Sequence, residues 1–311
     1  MKRFEILADA NCDLVEKYQK EYDISVIPGH IVMPDGSDIR AFLSWDIISK
    51  EEFYATLKKN PDSYATSPAN VADFEAEFEK FAAEGKDLLV MTISSGISGA
   101  YGFACTAREQ VLERHPDAKI TVIDTLRFGP GFGLMVVHAS LLREKGLSME
   151  ETAAWLEENK NRFHQAGWLD DLSFVAKKGR LTHAKAFFGT LAGVKPIGEF
   201  DYNGLTTVIG KFKGAKAAYA GLLEYIEKTV EDPEDQIFFI AQTNRLPQAE
   251  EYKRLIEEKF HPKAVYINDV FPSVSINVGP GLMAAYYIGK PISKDLSEEK
   301  AIIDNFLSKN S

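Results

Sequence analysis

Three serines and three glycines lie close together shortly after an aliphatic run in the first half of the chain. The aliphatic run is Asp87–Met91 ("DLLVM"), and the serines are Ser94, Ser95 and Ser98 in "TISSGISGAYGFA". The run is typical of a buried parallel strand, and the residues after the turn have apolar positions at helical spacing. A strand–turn–helix unit directs hydroxyls and free backbone N–H groups towards one end of the sheet, where the positive end of the helix favours an anion. We therefore expect an anion-binding site at this turn.

Whether these hydroxyls react with the anion or only hold it depends on whether a base can activate them. A nucleophile elbow requires Gly-x-Ser-x-Gly, whereas Ser98 is followed directly by Gly99. The six histidines form no HxxxH or HxH pair, and no pair stands out among the 46 acidic residues. The chain has no Walker A sequence, and "GPGFG" at Gly129–Gly133 lacks the spacing of a dinucleotide fingerprint. We expect a binding site without catalytic residues, metal or cofactor. The alternative is a serine-dependent hydrolase or phosphotransferase acting on a small anionic substrate.

The composition disfavours several classes of partner. The 311 residues carry a formal net charge of −10, which argues against binding to nucleic acid and against an anionic membrane surface. The two cysteines, Cys12 and Cys105, are far apart, as is typical of a reducing compartment rather than of a disulfide framework. No run approaches the length of a transmembrane helix, and the N-terminal apolar stretch is too short for a signal peptide. We expect a cytoplasmic protein without stable membrane insertion.

The order of the elements predicts two domains. Strand-like and helix-like segments alternate up to about residue 155, which is typical of a mostly parallel sheet with helices on both faces. One extended run covers Ile24–Met33. The second half opens with a hairpin whose turn is Asn203–Gly204. We therefore expect a three-layer α/β domain over residues 1–155 and an α+β domain over residues 156–311.

Five short motifs, taken in order, resemble those of the DegV family of bacterial fatty-acid-binding proteins. Their sequences are "LADANCDL", "ATSPAN", "ISSGISGAY", "LSFVAKKGRLTHAKAFFGTLAGVKPI" and "NVGPGLMAAYY". They occupy Leu7–Leu14, Ala65–Asn70, Ile93–Tyr101, Leu172–Ile197 and Asn277–Tyr287. Because the five are collinear and span nearly the whole chain, the resemblance extends to both expected domains.

The resemblance implies a lipid carrier that holds a long-chain fatty acid in an apolar tunnel between the two domains. In that family the carboxylate meets hydroxyls at the tunnel mouth, and some members present it to a separate ATP-binding kinase subunit that makes acyl phosphate. On the matching motifs, the carboxylate ligands of this chain would be Thr66, Ser95, Ser94 and Asn277. The residues that would face the head group or a docked partner are Arg180, Lys213 and Lys177.

Each of these residues also has a purely structural interpretation. Ser67 and Pro68 could begin a helix as its N-cap and first residue, and Ser98 could be another N-cap. The Lys177–Arg180 run could be a solvated face, or a docking surface for an acidic partner in a protein that binds no lipid. Asp9, at the end of a strand, could serve only as a helix cap.

Several residues depart from the family pattern. Pro68–Ala69 stands where the family motif has Gln-Pro after Thr-Ser, so the loop there is expected to run differently. Asn277 stands where the family commonly carries histidine, and an amide cannot carry a positive charge. Lys213 replaces an arginine and loses the forked two-point grip on an anion. Ala10 replaces a serine, and Lys178 replaces a glycine. Because binding survives the loss of charge more easily than phosphoryl transfer does, the sequence favours binding over partnership with a kinase.

Overall fold

The computed structural model describes residues 4–41, 44, 45, 47–180 and 193–309. Its strands are β1 (Glu5–Asp9), β2 (Ser25–Ile27), β3 (His30–Val32), β4 (Asp38–Arg40), β5 (Ala65–Ser67), β6 (Leu88–Thr92), β7 (Ile120–Asp124), β8 (Phe163–Leu169), β9 (Val194–Phe200), β10 (Thr206–Lys213), β11 (Ile237–Gln242), β12 (Ala264–Asp269) and β13 (Leu282–Ile288). Its helices are α1 (Glu16–Glu21), α2 (Lys50–Lys59), α3 (Val71–Ala83), α4 (Ala100–Arg114), α5 (Gly129–Glu144), α6 (Met149–Asn159), α7 (Ser173–Lys177), α8 (Ala215–Thr229), α9 (Leu246–Phe260), α10 (Pro272–Val278) and α11 (Ser297–Lys309).

The first sheet is parallel, with strand order β2-β1-β6-β7. Alternate side chains of β6 point to opposite faces: Leu88 and Val90 pack with α3 and α4, whereas Leu89 and Met91 pack with α5 and α6. Burial on both faces explains why β6 reads as a continuous aliphatic run. The expected three-layer α/β arrangement is confirmed.

The second sheet has the order β10-β9-β8-β13-β11-β12, and its only parallel pair among the described strands is β11 with β12. The predicted hairpin joins β9 to β10, and Gly204 in its turn has a φ of 72°, a backbone conformation that favours glycine. Helices α8, α9 and α11 pack on this sheet. The second half is therefore α+β, as expected.

Helix α5 lies between the two sheets, in contact with β1, β8, β11 and β13. Its glycines permit this close packing. A Cβ on Gly133 would lie 2.3 Å from the carbonyl oxygen of Cys12, and one on Gly131 would lie 2.7 Å from the Tyr286 ring. The glycine-rich "GPGFG" stretch therefore serves helix packing, and one continuous core spans both sheets.

A third sheet, with order β4-β3-β5, was not predicted. It divides the extended run Ile24–Met33, since β2 joins the first sheet and β3 joins the third. Ser67 belongs to β5, so the interpretation of Ser67 as an N-cap is wrong. Asn70 caps α3 instead: its Oδ1 accepts a hydrogen bond from the Asp73 N–H, and the Asp73 carboxylate accepts one from the Asn70 N–H.

The chain leaves the first sheet after α6 and enters the second at β8. Residue 155 lies within α6, which packs on β6 and β7. The boundary at 155 stays a prediction, and the change of sheet falls a few residues later. Within the part of the chain that the structure describes, no helix is both long and apolar enough to cross a membrane.

Candidate functional site

A cavity of about 440 Å³ lies at the carboxyl ends of β1 and β6, the edge of a parallel sheet where ligands commonly bind. We call it the mouth. Its wall combines the loop after β1, the serine turn after β6, the end of β5, the end of α7 and one face of α10. The described polar and charged residues in the wall are Asn11, Thr66, Ser67, Ser95, Ser98, Lys178, Arg180, Thr206, Ser273 and Asn277.

Two of the sequence-predicted residues, Thr66 and Asn277, meet in the mouth although 211 positions separate them. The Asn277 Nδ2 group donates one hydrogen bond to Thr66 Oγ1 at 3.1 Å and another to the Ser273 carbonyl oxygen at 3.0 Å. Both amide hydrogens are then used, whereas the Thr66 hydroxyl hydrogen stays available for a ligand. The sequence assigned Asn277 to direct contact with the anion. That assignment stays a prediction, and the hydrogen bond to Thr66 Oγ1 shows in addition that Asn277 positions Thr66.

The serine turn contributes one free hydroxyl to the mouth. Ser95 lies in the wall, its backbone N–H donates to Asp124 Oδ1 at 3.1 Å, and its hydroxyl makes no hydrogen bond with any described residue. Ser98 also lines the mouth, but its Oγ accepts a hydrogen bond from the Ala100 N–H at 3.3 Å. Both hydroxyls keep a hydrogen to donate to an anion, but only the Ser95 hydroxyl has no hydrogen bond to another described residue.

Ser94 is fully buried and is not part of the wall of the mouth. Its hydroxyl donates to the Gly204 carbonyl oxygen at 2.7 Å and accepts from the Gly96 N–H at 3.1 Å. Ser94 thus attaches the β9–β10 hairpin of the second domain to the serine turn of the first. The structure assigns this residue an inter-domain contact where the sequence predicted a ligand.

Asp9 holds the serine turn from below. One carboxylate oxygen accepts a hydrogen bond from the Ile93 N–H at 2.6 Å, and the other accepts from the Asn11 N–H at 2.9 Å. Burial raises the pKa of Asp9 to about 6, although these hydrogen bonds act in the opposite direction. Asp9 also caps the short 3-10 turn Ala10–Cys12, as the sequence suggested.

The predicted cationic residues divide into two groups. Arg180 lines the mouth, as does Lys178, which sequence reasoning had noted only as a departure from the family pattern. Lys177 is exposed and forms an ion pair with Asp62, and Lys213 is exposed at the end of β10, away from the mouth. Of the predicted cationic residues, Arg180 alone lines the mouth, and Lys178 lies beside it in the wall.

Ser273 is a mouth residue that sequence reasoning missed. It lies in the wall, and its buried hydroxyl makes no hydrogen bond with a described residue. Its position four residues before Asn277 places both residues on one face of α10. That spacing is the signal from which Ser273 could have been found.

A second, apolar cavity of about 70 Å³ adjoins the mouth. We call it the apolar compartment. The two cavities share wall residues, and the rest of the apolar wall comes from β8, β9, β10, β13, α5 and α10. The shared residues are Phe128, Val175, Thr206, Val274 and Val278. A polar mouth thus continues into an apolar space, with Phe128 and Thr206 at the junction.

Part of the fourth motif, residues 181–192, lies outside the described residues. Within the described residues, no group of three histidine, cysteine or carboxylate side chains could hold a metal ion.

The polar mouth and the apolar compartment behind it have the geometry of a site for a small molecule with a polar end and an apolar chain. The fold and this site define a two-domain α/β protein of the ligand-binding class. The chain belongs to the DegV family, because the family model described as "Uncharacterised protein, DegV family" matches residues 3–290. This confirms the resemblance carried by the five motifs.

Similar proteins match this chain over nearly its whole length. A DegV domain-containing protein from Clostridium perfringens is 30% identical over 289 residues, which cover 93% of this chain and 98% of the relative. The crystal structure of a DegV lipid-binding protein from Thermotoga maritima has 25% identity and a TM-score of 0.78, covering 92% of this chain and 98% of that one. A stearic-acid-binding protein from Eubacterium ventriosum has 21% identity, a TM-score of 0.79 and the same coverage. At that identity the likeness concerns the fold.

Proposed function

We propose that this protein is a lipid carrier that binds a long-chain fatty acid. The Thr66 and Ser95 hydroxyls hold the carboxylate in the mouth, Asn277 positions Thr66, and the acyl chain enters the apolar compartment. The observation that carries this proposal is the continuity of a mouth holding available hydroxyls with an apolar space behind it. The lipid-binding relative from Thermotoga maritima supports it.

The energy available from the acyl chain is large. Burying one methylene group is worth about 0.8 kcal/mol, so a chain of about 16 carbons offers roughly 12 kcal/mol before the costs of association. The apolar compartment, at about 70 Å³, is smaller than the roughly 150 Å³ cavity that holds benzene. Binding therefore requires wall side chains of α7, β9 or α10 to move outward.

The role of the carboxylate can be tested by titrating delipidated protein with stearic acid and with methyl stearate. The two molecules share one chain, but the ester carries no charge and accepts weaker hydrogen bonds. We expect the acid to bind at least about tenfold more tightly, which corresponds to about 1.4 kcal/mol. Equal affinities would show that the mouth does not recognise the carboxylate.

A second candidate function, presentation of the bound carboxylate to an ATP-binding kinase subunit, is supported by Lys178 and Arg180 in the wall of the mouth. Their charges would stabilise negative charge that develops during phosphoryl transfer. We rank this role below simple binding because Asn277 supplies no charge. The measurement is acyl-phosphate formation from ATP and stearic acid when this protein is combined with such a subunit. If no acyl phosphate forms, binding and carrying the lipid is the only role that this proposal retains.

The hydrolase alternative is less well supported. Among the described wall residues of the mouth there is no histidine, and the Ser95 hydroxyl contacts no base. A fluorophosphonate that labels Ser95 would favour that alternative. As a carrier, the protein needs no cofactor besides the lipid. Cytoplasmic location also remains part of this proposal, consistent with two free cysteines.

A further inference from the structure

The wall of the apolar compartment contains a buried carboxyl group, that of Asp13. Asp13 is fully buried, and its Oδ1 accepts a hydrogen bond from the Phe271 N–H at 2.9 Å. Its other oxygen, Oδ2, has no hydrogen-bond partner among the described residues. A Cβ built on Gly129, which also lines the compartment, would lie 3.4 Å from that oxygen. The unpartnered oxygen therefore lies where the compartment is bounded by Gly129.

The backbone holds Asp13 firmly in this position. Its φ is 53°, in the left-handed region, and its carbonyl oxygen accepts a hydrogen bond from Asn268 Nδ2 at 3.3 Å. Burial raises the pKa of Asp13 well above its ordinary value, more than the hydrogen bond from Phe271 lowers it. Burial therefore favours the protonated carboxyl, whose O–H group can donate a hydrogen bond. A buried polar group without a partner is costly, so its retention calls for an explanation.

A second polar group lines the same compartment. Gln165 and Tyr286 are paired across β8 and β13, and the Tyr286 hydroxyl donates to Gln165 Oε1 at 3.3 Å. The Gln165 Nε2 group makes no hydrogen bond with any described residue, although the side chain is more than nine-tenths buried. Burial, and next the nearby Asp13 carboxyl, raise the pKa of Tyr286. Asp13, Gln165 and Tyr286 thus place polar groups, which we call the polar spot, in a mostly apolar wall that also includes Thr206 at the junction with the mouth.

We propose that the apolar compartment selects a fatty acid whose chain carries a hydroxyl group, and that Asp13 and Gln165 bind this hydroxyl. The inference rests on the proposed function, because it concerns the chain of the same ligand. A chain hydroxyl can accept a hydrogen bond from the Asp13 carboxyl or from Gln165 Nε2, and it can donate one to an oxygen. An unsubstituted chain leaves both protein groups unpaired.

The selectivity can be tested by titrating delipidated protein with stearic acid and with a series of stearic acids that carry one hydroxyl at successive chain positions. We expect one positional isomer to bind at least about tenfold more tightly than stearic acid. Isomers whose hydroxyl falls elsewhere bind more weakly than stearic acid, since their hydroxyl is buried without a partner.

Three variants assign the effect to residues, and the readout is the ratio of the affinities for the preferred isomer and for stearic acid. Asp13→Gly fits the positive φ and removes the carboxyl, and Gln165→Met keeps the size of the side chain but removes the amide. Both reduce the ratio to about one or below. Asp13→Asn also fits the backbone and retains a donor, so it keeps the ratio within about threefold of the wild type.

As a matched control, Thr66→Val weakens both ligands and leaves the ratio unchanged. If Asp13→Gly fails to fold, Gln165→Met decides the result. Wild-type protein that binds stearic acid but prefers no hydroxylated isomer overturns this inference and leaves the proposed function standing. The inference would also be overturned if the ratio of affinities were the same in the wild type and in Gln165→Met. Water would then occupy the polar spot. Wild-type protein that binds none of these acids overturns the proposed function itself.

Discussion

At the scale of single residues, the mouth depends on a division of labour between hydroxyls that face the ligand and polar groups that position them. Thr66 and Ser95 have hydroxyls with capacity to donate. The Asn277 amide hydrogens instead bind Thr66 and the Ser273 carbonyl oxygen, and the two Asp9 carboxylate oxygens hold the loop after β1 and the serine turn. An amide suffices for such positioning, which explains how a site with Asn277 could bind a carboxylate without a charged side chain at that position.

Removing the two hydroxyls should weaken binding of stearic acid. Thr66→Val and Ser95→Ala should each cost about 1–3 kcal/mol, because a charged oxygen in a sheltered site loses a donor. Isothermal titration of each delipidated variant gives the affinity, and a thermal melt shows whether the fold persists. Thr106→Val is the matched control, since the Thr106 hydroxyl lies outside the wall of the mouth and donates to the Gly102 carbonyl oxygen. Unchanged affinity in the double variant would place the carboxylate elsewhere.

The residue assignments show how far sequence alone could reach. The family motifs identified Thr66, Ser95 and Asn277, but the contact between Thr66 and Asn277 depends on two elements that meet only in the folded chain. Ser94 and Ser95 are adjacent and chemically identical, so no local pattern separates the one that binds the hairpin from the one that faces the mouth. Asp13 lies within the first motif, but the sequence does not indicate that one of its carboxyl oxygens is buried without a hydrogen-bond partner.

At the scale of elements, the second domain is held around Asp170, which follows β8. Its carboxylate forms an ion pair with Lys195 on β9. It also accepts a hydrogen bond from Arg245 Nε at 2.8 Å, and Arg245 Nη2 lies 2.7 Å away in an ion pair, next to α9. Burial raises the pKa of Asp170, but the hydrogen bonds and charges of these two residues together outweigh burial and hold the pKa below its usual value.

This lowered pKa predicts a pH-dependent contribution to stability. A carboxyl whose pKa is lower in the folded state stabilises the fold above its unfolded pKa of about 3.9, and that stabilisation is lost as the pH falls through the folded value. Asp170→Asn should therefore lower the free energy of unfolding at pH 7 by about 1–3 kcal/mol, and the difference should shrink as the pH falls below the unfolded pKa of about 3.9.

Urea unfolding at several pH values measures this difference, and Asp62→Asn provides the control. Asp62 pairs with Lys177 on the exposed surface, where such pairs contribute little, so its replacement should cause no measurable change. An Asp170→Asn deficit that stays constant down to pH 3 would show that the ion pairs are not its origin.

Local patterns predicted the elements well where neighbours in sequence determine them. The β6–turn–α4 unit and the β9–β10 hairpin formed as expected, since strand burial and turn chemistry are local signals. The division of Ile24–Met33 between two sheets was missed, because β3 is held by pairing with the distant β5. A Cβ on Gly29, within this run, would lie 2.5 Å from the Ser67 carbonyl oxygen. Only glycine therefore fits between β2 and β3 at position 29, and this close contact with β5 is seen only in the folded chain.

At the scale of the whole molecule, the site belongs to neither domain alone. The first sheet supplies the serine turn, and the second sheet supplies most of the apolar wall. Helix α10 lines both cavities, and α5 lines the apolar compartment and lies between the sheets. The Ser94–Gly204 hydrogen bond and the continuous core join the two halves. Outward movement of the apolar wall on binding should therefore involve both domains.

The most direct test of fatty-acid binding is organic extraction of protein purified from bacterial cells, followed by mass spectrometry. The protein must not be delipidated first, and the fold of the extracted sample is checked in parallel. Because roughly 12 kcal/mol is available from a chain of about 16 carbons before association costs, the ligand should survive purification. The account predicts about one fatty acid per protein molecule, and an extract without stoichiometric fatty acid would contradict it.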